Sequence, residues 1–230
     1  MRALRIDPGK LRYRAMIGTG GIGSGSFFQL SGDHTLGREE SRSGRFLDRR
    51  DYCKLHIISH YVATLLGDDF ETIPIGKIGD DAIGEQLFTE MREAGMHLTY
   101  VRSSPNEPTL FSFCFVYPDG TGGNLTTEDS ASSHVDPALV LEAEPEFARF
   151  SVHGIALAAP EVPLDARETL LQLGTRHGFL RAAAFTSEEM RSSLESGTLE
   201  RVDLLGINID EAAAVAGAPG EGESETAGDI

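Results

Sequence analysis

Asn208 and Glu211 stand three residues apart in Asn208-Ile209-Asp210-Glu211, directly after an apolar run led by Asp203. An amide and a carboxylate at that spacing share one face of a helix's first turn. Mg²⁺ keeps most of its waters and needs only one or two protein oxygens to hold them. This pair therefore suffices to orient a hydrated ion against a triphosphate. The same residues spell a capping box, with Asn208 accepting from the backbone and Glu211 reaching back, and the two roles are compatible.

A second candidate is Gly18-Thr19-Gly20-Gly21-Ile22-Gly23, which follows Leu11 to Ile17, a segment that reads as a first strand. It formally satisfies the dinucleotide fingerprint, which requires a helix opening on the last glycine. Ser24-Gly25-Ser26 and Ser31-Gly32-Asp33 interrupt any such helix, so a cofactor-binding Rossmann unit is not expected. His56 and His60 lie one helical turn apart without an evident third ligand, which favours two ordinary helix histidines over zinc. Cys53 and Cys114 read as small buried hydrophobes rather than a redox pair.

These residues need a scaffold, and the chain supplies an alternating one. Thr72 to Ile75 reads as a buried strand end, Gly76-Lys77-Ile78-Gly79 as a tight loop, and Asp80/Asp81 as caps for the next helix. In that helix Ile83, Leu87, Met91 and Ala94 form one stripe, and Gly95 is the stop. Tyr52 to Leu66 predicts a helix with Leu55, Ile58, Val62 and Leu65 inward. The spacing predicts strands over 98–102, 109–117, 150–157, 180–185 and 202–207, with helices over 164–177, 188–195 and 209–216. Phe27 to Arg50 reads as a solvated loop or lid face. Phe111, Phe113, Phe115 and Tyr117 alternate with Ser112, Cys114 and Val116, and an aromatic face of this kind is usually core. Alternating strands and helices imply parallel pairing with right-handed crossovers.

Gly76-x-x-Gly79-x-Asp81-x-x-Gly84, Thr109, the Phe111 to Tyr117 strand, Pro118-Asp119-Gly120 and Asn208-x-x-Glu211 occur in the order that resembles the PfkB (ribokinase-like) carbohydrate and nucleoside kinases. The resemblance covers most of the chain after about Gly67. It implies an α/β fold, a largely parallel sheet sandwiched by helices, over residues 1–217. A small β lid drawn from parts of 24–50 and 98–127 would cover the substrate, and in the resembled family such a lid often pairs two subunits as a homodimer. It implies ATP- and Mg²⁺-dependent phosphorylation of a hydroxyl on a sugar or nucleoside. Gly20, Gly21, Gly23 and Asn124 would face the acceptor, and Asn208 and Glu211 the metal and phosphate.

Two departures qualify that expectation. The start of the first helix, Asp51-Tyr52-Cys53-Lys54, lacks the glycine pair and asparagine by which the family holds sugar hydroxyls. No glycine-rich anion hole with a catalytic aspartate follows Glu211. Thr226-Ala227-Gly228-Asp229 comes too soon after Asn208 to serve, and it lies in an acidic Gly/Ser stretch (218–230) whose composition is that of a disordered end. The C-terminal part of the fold is thus expected to be missing and the 230-residue chain to be an inactive fragment. The alternative is a non-catalytic sugar-binding or regulatory protein that keeps the acceptor half.

Composition narrows the partners. A formal net charge of −16 argues against extended binding to nucleic acid or an anionic membrane, both of which require a basic face. ATP remains compatible, because backbone N–H groups and Mg²⁺ meet its charge locally. Met1 to Lys10 has no apolar signal core, so the cytoplasm is the expected compartment.

Overall fold

Neighbouring residues of the strand Ala15–Thr19 (β1) divide between two hydrophobic cores, Ile17 entering one and Met16 the other. That two-sided burial is what a parallel strand covered by helices on both faces requires. The computed structural model describes residues 7–216, so the expected acidic tail 218–230, with Asp229, lies outside the described residues.

From β1 the chain enters the antiparallel pair Gly23–Leu30 (β2) and Gly44–Tyr52 (β3), then returns through the helix Lys54–Leu66 (α1) to Glu71–Gly79 (β4). The helix Ala82–Glu93 (α2) carries it to Tyr100–Ser104 (β5). A second excursion forms Leu110–Val116 (β6) and Gly122–Thr126 (β7). Helices Pro137–Leu141 (α3) and Glu144–Phe150 (α4) lead to Gly154–Ala158 (β8), followed by Leu164–His177 (α5), Leu180–Ala184 (β9), Ser187–Glu195 (α6), Leu204–Gly206 (β10) and Ile209–Ala216 (α7). The main sheet has the order β10-β9-β8-β1-β4-β5 and every pairing is parallel. The lid is a separate sheet, β3-β2-β6-β7.

One core joins the α3–α6 side to the sheet through Phe147, Leu170, Leu171 and Met190; the other joins α1 and α2 through Leu55, Leu87 and Met91. Full burial of a side chain such as Phe147 contributes roughly 2–3 kcal/mol. α2 begins where Asp81 accepts from the Gly84 N–H at 2.8 Å. The same carboxylate accepts from the Thr109 N–H and hydroxyl, each at 2.7 Å, so one cap also ties α2 to the base of the lid. No helix among the described residues is long and apolar enough to cross a membrane.

The fold corrects several sequence expectations. Gly76 to Gly79 is strand, not loop: a Cβ on Gly76 would meet Ile22 Cδ1 at 2.7 Å, and one on Gly79 the Thr109 backbone nitrogen at 2.4 Å. These glycines permit close approach rather than a turn. Ile83 lies at the rim of the stripe, 37% exposed, because α2 presses the sheet with Gly84, Leu87 and Met91. α1 starts at Lys54, with Tyr52 still in β3, and buries His56, Ser59 and Ala63 beside Leu55 while Ile58, Val62 and Leu65 are only partly covered. Residues 24–30 and 44–50 are strand, and only the connection 31–43 between them is irregular. The segment expected at 98–102 is β5, an edge of the main sheet and not lid. Phe150 ends a helix, and the strand expected over 150–157 begins only at Gly154.

Candidate functional site

Beyond the carboxyl ends of β8 and β9, beneath the lid, lies a cavity of about 630 Å³. That is where ligands bind in open parallel sheets. Its wall takes Glu161 from the β8–α5 connection, Thr186 and Glu188 from the N-terminus of α6, Lys54 from the start of α1, Asn124 and Thr126 from β7, and Ser130 from the segment after β7.

Glu161 is the most constrained of these. Its φ of +76° places a non-glycine residue in the left-handed region, a conformation that costs about 1–3 kcal/mol and persists where surroundings enforce it. The enforcement is visible. Gly21 donates its N–H to the Pro160 carbonyl at 2.9 Å, and Glu161 Oε2 accepts the Lys54 backbone N–H at 3.2 Å. Burial pushes the Glu161 carboxyl above its ordinary range, opposed by that N–H and by the Cys53 thiol.

The predicted acceptor glycines stand behind this residue and do not line the cavity. A Cβ on Gly21 would come within 2.6 Å of Glu161 Cβ, one on Gly20 within 2.6 Å of Ala159 Cβ, and one on Gly23 within 2.7 Å of Cys53 Sγ. Their contribution is to let β1, β8, α1 and the lid converge. Asn124, also predicted, does line the cavity.

The lid reverses the polarity expected for it. Leu110, Ser112 and Cys114 form its buried face, while Phe111, Phe113, Phe115 and Tyr117 point to the more open one. On the inner face Asp51 accepts from Ser112 Oγ at 2.7 Å and from Cys114 Sγ at 3.1 Å, beside Asn124. Burial, and then Asp51, push the Cys114 thiol up to about 12; burial and Glu161 also raise Cys53. Both sulfurs stay protonated near neutral pH, so neither is an activated nucleophile. On the outer face Phe28, Phe46 and Phe113 cluster at ring separations of 5.1 to 6.3 Å, with Phe46 66% exposed.

Asn208 and Glu211 form the capping box in full. The Asn208 N–H donates to Glu211 Oε2 and the Glu211 N–H donates to Asn208 Oδ1, both at 2.8 Å. They sit at the carboxyl end of β10 and are absent from the cavity wall. His56 and His60 share a helix face with ring centres 5.9 Å apart, and His56 is buried. Among the described residues no group of three or more His, Cys, Asp or Glu could hold a metal ion.

Residues 59–229 match the model of the pfkB family carbohydrate kinases. The chain belongs to that family. It is 29% identical over 110 residues to a ribokinase of Schizosaccharomyces pombe, an alignment covering 48% of this chain and 33% of the relative. In fold it is similar to Arabidopsis thaliana ribokinase complexed with ribose and ATP (TM-score 0.59, 18% identity, 91% of this chain and 64% of that one). A nucleoside kinase of Burkholderia thailandensis in complex with inosine gives a TM-score of 0.65 at 16% identity, covering 88% and 63%. The chain thus spans about a third of that ribokinase's length and less than two thirds of these structures.

Sequence reading missed Glu161, Lys54 and Ser130. For Glu161 a signal existed: Pro160-Glu161-Val162-Pro163 places an acid between two prolines where an apolar strand ends and a helix begins. Lys54 and Ser130 carry no comparable local mark.

Proposed function

We propose that the protein phosphorylates a hydroxyl of a sugar or nucleoside with ATP, and that the described residues supply its acceptor side. The observation that carries this reading is the cavity under the lid, with the strained Glu161 in its wall. A half-buried carboxylate, an amide and several hydroxyls around 630 Å³ suit a polyhydroxy ring. The relatives complexed with ribose and ATP and with inosine support the substrate class.

Asn208 and Glu211 would hold Mg²⁺ through its waters. Each capping oxygen keeps a further lone pair, so the box does not exhaust them. When bound, the ion would neutralise charge on the phosphates. The lid would exclude water from the acceptor, and Asn124 and Glu161 would orient the reacting hydroxyl. Pairing of two chains through the lid belongs to the same proposal, supported by the exposed aromatic outer face with Phe46 and Leu125. Sedimentation should then give a dimer that Phe46→Ser with Leu125→Ser dissociates.

Calorimetry against neutral sugars and nucleosides, with and without MgATP, tests the main reading. Binding that tightens with MgATP and is lost in Glu161→Gln supports a kinase acceptor site. Binding indifferent to nucleotide favours a sugar-binding module, and no binding at all sinks the acceptor assignment.

A further inference from the structure

The charge on the cavity wall narrows the acceptor further. Glu128, Glu161, Glu188 and Glu189 face the cavity with Lys54 as the one basic side chain among its lining residues. Glu189 is already compensated: its carboxylate pairs with the fully buried Arg167 guanidinium and also accepts the Thr186 N–H at 2.9 Å. Three carboxylates against one ammonium remain.

Glu161 is the least exposed of the three; its two donors are a backbone N–H and a thiol, and the Lys54 ammonium acts on it from the same wall. A carboxylate drawn from water is costly unless paired with positive charge. Burial raises the Glu161 carboxyl despite Lys54, and Asp51 opposes Lys54 with a second negative charge. A separate observation points to a ligand in the same wall. Ser130 is 1% exposed and its hydroxyl has no hydrogen-bond partner, an orphan polar group of the kind that a bound hydroxyl or amine satisfies.

We propose that the cavity takes a polyhydroxy acceptor bearing an amine, its ammonium seated against Glu161, in preference to the neutral compound, and that it refuses phosphorylated or carboxylated sugars. This rests on the acceptor-side reading above. An ammonium adds positive charge to a wall in which Lys54 alone faces three carboxylates. A phosphate or carboxylate would enter a wall already carrying net negative charge, and like charges at such distances repel strongly where water is partly excluded.

The test uses matched compounds on the full 230-residue chain at neutral pH: glucosamine, glucose, glucuronate and glucose 6-phosphate, then 5-amino-5-deoxyribose, ribose and ribose 5-phosphate. Calorimetry should rank each set amine, neutral, anion, with about tenfold in Kd at each step at low salt. The spread should narrow as salt is raised, because the rim carboxylates are open to screening. Glu161→Gln keeps the shape and should erase the amine preference, while Glu128→Lys with Glu188→Lys should relieve the penalty against the phosphorylated sugars. Melting curves verify that each variant is folded, and the salt series on the unaltered chain serves if one is not. An amine no tighter than its neutral parent, or a phosphorylated sugar as tight as the neutral one, overturns this inference and leaves the acceptor site standing. If no compound in either set binds, the acceptor reading falls and this inference with it.

Discussion

Replacing His56 by phenylalanine should remove a large part of the acid sensitivity of this fold. His56 is 1% exposed in α1, its ring edge-on to Tyr52 at 4.8 Å, and its Nδ1 has no partner. Burial, reinforced by the neighbouring His60, depresses its pKa from 6.5 to about 4, with Glu90 opposing weakly. Because the folded value is the lower one, the unfolded chain binds the proton first as pH falls. The neutral ring's contribution is fully present above 6.5, is lost progressively below it, and is gone once pH passes about 4. At about pH 7.5 the linkage is negligible; at about pH 5 it amounts to about 2 kcal/mol, with a ceiling of about 3 kcal/mol. Urea unfolding of the protein and of His56→Phe at both pH values isolates this quantity, since the carboxylates titrate alike in both and cancel in the difference. The natural protein should lose about 2 kcal/mol more than the variant on acidification. Equal losses would refute the reasoning and mean that His56 meets water or a partner in solution.

Three other substitutions probe the site. Gly21→Ala puts a methyl where Glu161 stands, so it should cost about 1–3 kcal/mol in urea unfolding and weaken sugar binding about tenfold by displacing that carboxylate. Glu211→Ala breaks the capping box and should cost about 1 kcal/mol, with faster amide exchange confined to the start of α7; a simultaneous loss of Mg²⁺-dependent nucleotide binding would add the metal role. Arg167→Met leaves the half-buried Glu189 without its cation and should cost about 1–3 kcal/mol by melting, part of which Glu189→Gln in the same chain should restore.

What the sequence carried was the part of the fold written in periodicity and caps. Asp81 caps α2 as read, Leu87 and Met91 face the core, Gly95 follows α2 with a φ of +86°, and Asn208 with Glu211 forms its box. Each depends on neighbours within a turn or two of chain. Gly76 and Gly79 were misassigned because a glycine that marks a turn and one that admits Ile22 or Thr109 are the same letter; only the distant partner distinguishes them. The aromatic face of β6 was misassigned for a related reason. Period two says which residues share a face, but the side that is covered depends on β3 and Asp51, some sixty residues earlier. Glu161 belongs to the same class, since its constraint comes from Gly21 and Lys54.

The separation between the cavity and Asn208/Glu211 follows from the strand order and bears on how the two would cooperate. β8 and β9 both end at the cavity, and β10, the neighbour of β9, ends at the capping box. Neighbouring strands are about 4.8 Å apart, so across the top of the sheet the strand that carries the box is offset by about 5 Å from the β9 side of the cavity and by about 10 Å from its β8 side. Because every pairing from β8 to β10 is parallel, the cavity and the box open on the same edge, where an extended anionic chain lying over the end of β9 would connect them. A polyphosphate has that reach and that charge. The acidic cavity is unsuited to its anionic end, whereas the far end of the span offers the amide and carboxylate that suit a hydrated cation. Under the proposed kinase reading, the same sheet would thus separate a polyhydroxy acceptor under the lid from the charged donor beside β10, and the reacting phosphoryl group would pass over β9.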